Sequence, residues 1–127
     1  MSPRRNVQVR RIYDPPAPDD GIRVLVDRIW PRGVSKDRAQ LDEWCTEIAP
    51  STELRKWYHH DPALFEEFTR RYREELTEPA HAAALEHLRE LAKKQTLTLL
   101  TATTHAEISE AALLADLIAS RKRSRKG

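Results

Sequence analysis

The chain has few of the residues that many familiar functional sites require. Its 127 residues include only one cysteine and three glycines. A single cysteine cannot form an internal disulfide bond or a CxxC metal site. Three glycines leave no room for the glycine-rich loops that cradle phosphate, and no GxxxxGK[ST], GxGxxG or GxSxG motif occurs. These absences exclude the common nucleotide-loop and nucleophile-elbow proteins.

Long apolar runs are also missing. No stretch approaches the roughly 20 apolar residues that cross a bilayer, and no apolar segment follows the initial MSPRR as it would in a signal peptide. Together with the single cysteine, these absences predict a cytoplasmic protein that does not bind membranes. Charged residues make up 33% of the chain and apolar residues 39%, a balance typical of a folded domain.

The basic residues are unevenly distributed along the chain. Residues 121–127 carry five of the 22 lysines and arginines and none of the 20 acidic residues. We therefore predict one α/β domain over residues 1–120 and a basic, disordered tail over residues 121–127. Such a tail is either solvated or, together with Arg4 and Arg5, binds nucleic acid by neutralising phosphates.

The apolar pattern alternates between strand and helix signals. Strands are predicted at residues 7–13, 22–29 and 97–102. Residues 44–48 form either a helix or a short third strand, and we favour the strand. Between them, Ser51 and Asp61 occupy helix N-cap positions, the second followed by a proline at the first helical position. Thr104 and Glu107 form a predicted capping box for the final helix. This order predicts a small α/β sandwich with a short, mostly parallel sheet of three or four strands flanked by helices.

The strongest functional signal lies in residues 24–33, VLVDRIWPRG, where an apolar strand ends in a charged and aromatic corner. Ligands of open α/β sheets bind beyond the carboxyl ends of strands, and arginine suits bidentate capture of phosphate or carboxylate. Arg28 and Arg32 are therefore predicted ligand-binding residues, with Trp30 as a ligand wall and Asp27 as a base or an arginine partner. Alternatively, Asp27 and an arginine form an internal ion pair, and Trp30 belongs to the core.

Further candidates follow the last predicted strand or lie in and just after the short helix predicted at residues 52–58. Thr103 and His105 lie near a predicted helix N-terminus, which favours anions. Arg55 is a third candidate anion contact, and His60 is a candidate acid–base group. No metal-ligand pair such as CxxC or HExxH is present, so we predict no metal site. Cys45 fits a core position better than a nucleophile.

Four segments carry a family resemblance. They are residues 11–16 (RIYDPP), 24–33 (VLVDRIWPRG), 49–57 (APSTELRKW) and 60–62 (HDP). The chain resembles the YeaO-like family, a bacterial domain of unknown function, from about residue 7 to residue 119. This resemblance implies one cytoplasmic α/β domain but no activity. The shared motif positions implied by the resemblance are Asp27, Arg28, Trp30, Pro31, Arg32, Arg55, Trp57 and His60.

The chain also departs from part of that group. A more distant branch resembles this chain but carries cysteine and histidine early in the final helix, where Ile108, Ser109 and Glu110 stand here. Thiol or metal chemistry of that branch is therefore not expected in this chain.

Three hypotheses follow from the sequence. The first is a site for an anionic small molecule, enzymatic if Asp27 and His60 are catalytic, in which Arg28, Trp30, Arg32, Arg55, Thr103 and His105 bind the ligand. The second is a nucleic-acid module that uses the basic termini. The third is a protein-interaction domain with an exposed patch at Trp57 and Tyr58, because aromatic residues are enriched at interaction hot spots.

Overall fold

A computed structural model describes residues 7–59 and 61–119. In this part of the chain, four strands form one parallel sheet in the order β1-β4-β2-β3. They are β1 (Val7–Arg11), β2 (Ile22–Leu25), β3 (Glu43–Trp44) and β4 (Leu97–Thr101). Helices flank the sheet, so the predicted small α/β domain is confirmed.

The helices of the described residues are α1 (Lys36–Ala39), α2 (Thr52–Tyr58), α3 (Phe65–Glu75), α4 (Pro79–Lys94) and α5 (Glu110–Ala119). Short 3-10 turns lie at Pro18–Asp20, Thr46–Ile48, Pro62–Leu64 and Ala106–Ile108. None of these helices is long and apolar enough to cross a membrane. Residues 1–6, 60 and 120–127 lie outside the described residues, so the predicted basic tail and domain limits stay predictions.

The sheet is buried on both faces. One face packs on a large apolar cluster that includes Val24, Leu97 and Leu99, and the other on a smaller cluster with Leu25 and Leu100. Side chains of adjacent strand residues point to opposite faces, so both faces of β2 and β4 must be apolar. This burial explains the near-continuous apolar runs of the two central strands.

The sequence predicted two N-caps correctly. The Ser51 hydroxyl accepts a hydrogen bond from Leu54 N at 3.1 Å, and Asp61 Oδ1 accepts one from Ala63 N at 3.0 Å. After Asp61 the chain first forms the Pro62–Leu64 turn and becomes α-helical at Phe65. Both caps supply acceptors for backbone N–H groups that the first helical turn leaves unpaired.

All four strand predictions were too long: β1 ends at Arg11 rather than at residue 13, and β4 at Thr101 rather than at residue 102. β2 ends at Leu25 rather than at residue 29. The Val26 N–H still donates to Leu100 O, but the N–H of Ala102, just after β4, donates to the Asp27 carboxylate instead of to a backbone carbonyl. β3 covers only Glu43–Trp44, opposite the last residues of β2. Beyond this point β3 has no partner strand, and the chain turns into the Thr46–Ile48 segment.

The predicted start of the final helix was wrong. Thr104 is exposed, and the residues after it form the Ala106–Ile108 turn instead of a helix. Ser109 precedes the helix, and its carbonyl accepts the N–H of Ala112 at 3.1 Å. The extra turn makes Glu110, and not Glu107, the first residue of α5. This shift places an unforeseen carboxyl group at the edge of the sheet.

Candidate functional site

A cavity of about 550 Å³ opens at the carboxyl edge of the sheet. Because β2 and β4 are parallel neighbours, the segments that follow both strands leave the sheet side by side. The cavity is lined by residues 27–32 after β2, residues 101–103 at the end of β4, and parts of α2, α3 and α5. This edge is where open α/β sheets bind their ligands.

Most residues predicted for the site lie on its wall. The predicted residues that line the cavity are Asp27, Arg28, Trp30, Arg32, Arg55 and Thr103. His105 is exposed and is not among the lining residues, and His60 lies outside the described residues. The neighbouring His59 does line the cavity, from an exposed, left-handed position at the end of α2.

Asp27 is a hydrogen-bond acceptor for the end of β4. Its Oδ1 accepts from the Thr101 hydroxyl at 2.8 Å, and its Oδ2 accepts from the backbone N–H of Ala102 at 2.8 Å. Arg28 turns away from it and donates to the carbonyls of Pro50 and Ala49 at 3.2 and 3.3 Å. Among the described residues no salt bridge joins Asp27 to an arginine. The predicted Asp27–arginine ion pair was therefore wrong.

The partner of Asp27 is a second acid. The side chain of Glu110 lines the cavity and is hydrogen-bonded to Asp27. Desolvation of the Glu110 carboxyl raises its pKa well above its usual value, and Asp27 raises it further, against an opposing effect of Arg55. Two carboxyl groups share a hydrogen bond only when one is protonated. The raised pKa of Glu110 favours its protonated form in such a pair.

Sequence reasoning missed Glu110 as a site residue. A glutamate in the first turn of a helix ordinarily interacts with the helix dipole, and nothing in its spacing distinguishes it. The helix start that brings it to Asp27 depends on the Ala106–Ile108 turn. The only available signal was the resemblance, which marked residues 108–110 as a position where a distant branch carries chemically active residues.

Arg55 is one of the cations that line the cavity wall. It is half-buried on α2, and it lies close enough to Glu110 to oppose the rise in the pKa of that carboxyl. Its guanidinium forms no hydrogen bond with any of the described residues. Arg32 and Lys56 also line the cavity and are exposed. Arg55 therefore keeps its five donors for a group inside the cavity.

The two tryptophans hold the segment after β2 in place. Trp30 donates from Nε1 to Val34 O at 2.7 Å and packs against the smaller apolar cluster. Trp44 donates to Asp27 O at 2.8 Å, and the two rings meet edge to face at 5.2 Å. Trp30 therefore acts both as a packing residue and as part of the cavity wall. The Trp44 bond fixes the position of the Asp27 backbone, and the Trp30 ring supports the Trp44 ring.

Aromatic residues of α2 and α3 support the other side of the cavity. Tyr58 is stacked on Phe68 at 4.2 Å, and both line the cavity. The Tyr58 hydroxyl donates to Ile108 O at 2.8 Å, which ties α2 to the turn before α5. Burial raises the pKa of Tyr58 to about 12, and the nearby negative charge of Asp61 adds to the effect. Tyr58 is therefore neutral at physiological pH.

The predicted aromatic patch at Trp57 and Tyr58 is not exposed. Tyr58 retains 3% of its surface, and Trp57 is half-buried beneath the Arg71 guanidinium, which lies 4.1 Å from the ring centroid. The exposed patch that would have favoured an interaction domain is therefore not present at these two residues.

Neither a reactive thiol nor a metal site is present among the described residues. Cys45 is buried, and burial raises the pKa of its thiol to about 11. Such a thiol is a core residue and a poor nucleophile, as predicted. No group of three or more His, Cys, Asp or Glu side chains within residues 7–59 and 61–119 is arranged to hold a metal ion.

The acid pair predicts an unusual dependence of stability on pH. Because the pKa of Glu110 is higher in the folded state than its ordinary 4.5, the folded protein binds more protons above that pH. Stability contributed by the protonated form is lost as the pH rises towards the folded pKa, with a slope of at most about 1.4 kcal/mol per pH unit. Glu110→Gln keeps an amide donor for Asp27 and removes this slope.

Urea unfolding of the wild type and of Glu110→Gln between pH 4.5 and 8 measures the effect. We expect the variant to gain stability relative to the wild type as the pH rises. Parallel stability curves over this range would show that Glu110 ionises normally in the folded protein.

The comparisons with known proteins identify the family. The family described as the inactive DUF488-N3 subclade matches residues 6–127. An uncharacterized protein of Mycobacterium tuberculosis strain H37Rv is 51% identical over 115 residues, which cover 91% of this chain and 95% of that protein. The uncharacterized protein YeaO of Escherichia coli K12 is 44% identical over 115 residues, which cover 91% of this chain and 98% of that protein. No solved structure matches. The resemblance seen in the sequence is confirmed, and the chain belongs to the YeaO-like DUF488 family.

Proposed function

We propose that this protein binds a small anionic ligand, a phosphate- or carboxylate-bearing metabolite, in the cavity at the carboxyl edge of its sheet. The observation that carries the proposal is Arg55, a half-buried guanidinium on the cavity wall that forms no hydrogen bond with a described residue. An anion inside the cavity would supply hydrogen-bond acceptors for this guanidinium. The bidentate geometry of arginine suits phosphate and carboxylate groups.

The charges on the wall support an anionic occupant. Four cationic side chains line the cavity, namely Arg28, Arg32, Arg55 and Lys56. Against them stand the carboxyl groups of Asp27 and Glu110, and the raised pKa of Glu110 favours the neutral form of the second. The potential inside a cavity with this balance is positive, and the cavity walls exclude part of the solvent that would screen it.

Binding is favoured over catalysis. Asp27 is occupied by Thr101, Ala102 and Glu110, so its role is to position the edge of the site. His60, the other predicted catalytic residue, lies outside the described residues. The subclade whose sequence pattern the chain matches is described as inactive. We therefore propose a binding module and assign no reaction to it.

The proposal is tested with Arg55→Ala and a matched control. Arg73→Ala also removes one helical arginine, but Arg73 lies on α3, is exposed and does not line the cavity. Because charge-assisted hydrogen bonds contribute about 1.5–3 kcal/mol, we expect Arg55→Ala to weaken binding by about 10- to 100-fold. The Arg73→Ala variant should bind as the wild type does.

Isothermal titration with inorganic phosphate and with succinate, at low salt, measures both affinities. Low salt is needed because ions screen the charges of the exposed residues Arg32 and Lys56. Equal affinities of the wild type and Arg55→Ala for both probes would contradict the proposal, as would the absence of binding to the wild type.

A further inference from the structure

The Asp27–Glu110 pair offers the cavity acceptors that no described residue uses. We infer that the ligand is a phosphorylated polyhydroxy compound of the sugar-phosphate class, whose hydroxyl groups donate to the Asp27–Glu110 pair while Arg55 and its cationic neighbours hold the phosphate. This inference rests on the proposed anion site. It adds the chemistry of the part of the ligand that carries no charge.

The count of lone pairs supports this assignment. The two Asp27 oxygens accept from Thr101, from Ala102 and from Glu110, which leaves about one of roughly four acceptor positions open. The Glu110 proton is used for Asp27, and no described residue is seen to donate to its second oxygen. The pair therefore presents free acceptors and no free donor. A ligand group that meets it must donate hydrogen bonds.

The identity of that donor follows from the surrounding charge. An ammonium group would donate to the carboxyls, but the four cationic side chains on the same wall repel it. A second phosphate or carboxylate carries negative charge, and the charge of Asp27 would repel it. Neutral hydroxyl groups satisfy the pair without either penalty, since hydrogen bonds to a charged acceptor are about twice as strong as neutral ones.

The dimensions of the cavity fit a ligand larger than a bare anion. Its volume of about 550 Å³ lies within the roughly 300–1,000 Å³ range of pockets for small molecules. The wall also includes Trp30 and the exposed side chain of Ile29, which retains 61% of its surface. Apolar wall next to polar anchors is typical of sites that bind the carbon skeleton of a sugar.

The experiment compares two ligands that share one phosphate and one chain length. Ribose 5-phosphate carries three hydroxyl groups on its five-carbon skeleton, and pentyl phosphate carries none. Isothermal titration of both against the wild-type protein should show ribose 5-phosphate binding at least about tenfold more tightly. Inorganic phosphate and unphosphorylated ribose serve as probes for the two halves of the ligand.

Two variants of Glu110 separate its acceptors from its bulk. Glu110→Leu removes the acceptors and leaves the Thr101 and Ala102 bonds of Asp27 in place. We expect it to reduce the preference for ribose 5-phosphate to less than about threefold while phosphate itself still binds. Glu110→Gln retains a carbonyl acceptor and a donor for Asp27, and should keep most of the preference.

The outcomes distinguish this inference from the proposed function. If pentyl phosphate binds the wild type as well as ribose 5-phosphate does, and Arg55→Ala weakens both, the anion site stands and the sugar assignment falls. If no phosphate compound binds, both fall. A preference for ribose 5-phosphate that survives in Glu110→Leu overturns the role of the acid pair.

Discussion

Asp27→Ala should destabilise the folded protein by about 2–4 kcal/mol, although Asp27 lies outside any regular element. The substitution leaves the Thr101 hydroxyl and the Ala102 N–H without their acceptor. Thr101 retains only 1% of its exposed surface, so water replaces the lost partner poorly. A buried donor left unsatisfied costs about 1–3 kcal/mol, and two such donors set the expected range.

Urea unfolding of Asp27→Ala and Asp27→Asn at pH 7 measures this effect. The asparagine variant keeps one oxygen acceptor at the same position and should lose no more than about half as much stability. Comparable losses in the two variants would indicate that the negative charge matters more than the acceptors. A loss below about 0.5 kcal/mol in the alanine variant would contradict the role assigned to Asp27 at the edge of the sheet.

Gly21→Ala is expected to be the most destabilising small substitution, with a loss of about 3 kcal/mol or more. Gly21 has a φ of +67° and a ψ of −128°, a conformation that residues with a Cβ rarely adopt. A Cβ there would lie 2.2 Å from Thr96 O, which accepts the Ile22 N–H at 2.8 Å. Relief of the clash would separate the first residues of β2 and β4.

Gly33→Ala is the matched control for backbone strain. Gly33 also has a positive φ, of +80°, but a Cβ there would meet nothing within 4 Å. It should therefore cost only the left-handed penalty of about 1–2 kcal/mol. Thermal and urea unfolding of both variants measure the difference. Equal losses would mean that the contact with Thr96 does not restrict the start of β2.

The sequence allowed the edge of the sheet and most of its wall to be predicted. Local rules were sufficient where a residue acts on its own neighbours: Ser51 and Asp61 cap helices as expected. The parallel arrangement of apolar strands placed Asp27, Arg28 and Thr103 at one edge. Each of these conclusions depends on short-range chemistry or on the parallel direction of the strands, which the alternation of strands and helices predicts. The order of the strands was not predicted and is seen only in the structure.

The features that sequence reasoning missed depend on contacts between distant residues. The Thr104–Glu107 pattern satisfies the capping-box rule, yet Ser109 precedes the helix because the chain makes an additional turn. Asp27 is paired with Glu110 instead of an arginine, since Arg28 is drawn to the carbonyls of Ala49 and Pro50. Such choices among several possible partners are decided by packing and cannot be read from spacing.

The position of Glu110 changes the interpretation of the whole site. A cluster of arginines alone would suit any anion, whereas on our proposal the Asp27–Glu110 pair beside Arg55 adds acceptors and a second condition on the ligand. Phe68 and Tyr58 complete this side of the wall from beneath. The site therefore combines a positive charge with neutral hydrogen-bonding capacity, which is the combination expected for selective binding of a small molecule.

A crystal structure of the wild-type protein grown with inorganic phosphate tests the central claim most directly. We predict that the bound anion lies inside the cavity, with at least one oxygen about 2.7–3.2 Å from a guanidinium nitrogen of Arg55, and that Glu110 remains hydrogen-bonded to Asp27. A structure in which phosphate leaves this cavity empty, while the Arg55 guanidinium points into bulk solvent, would contradict the account.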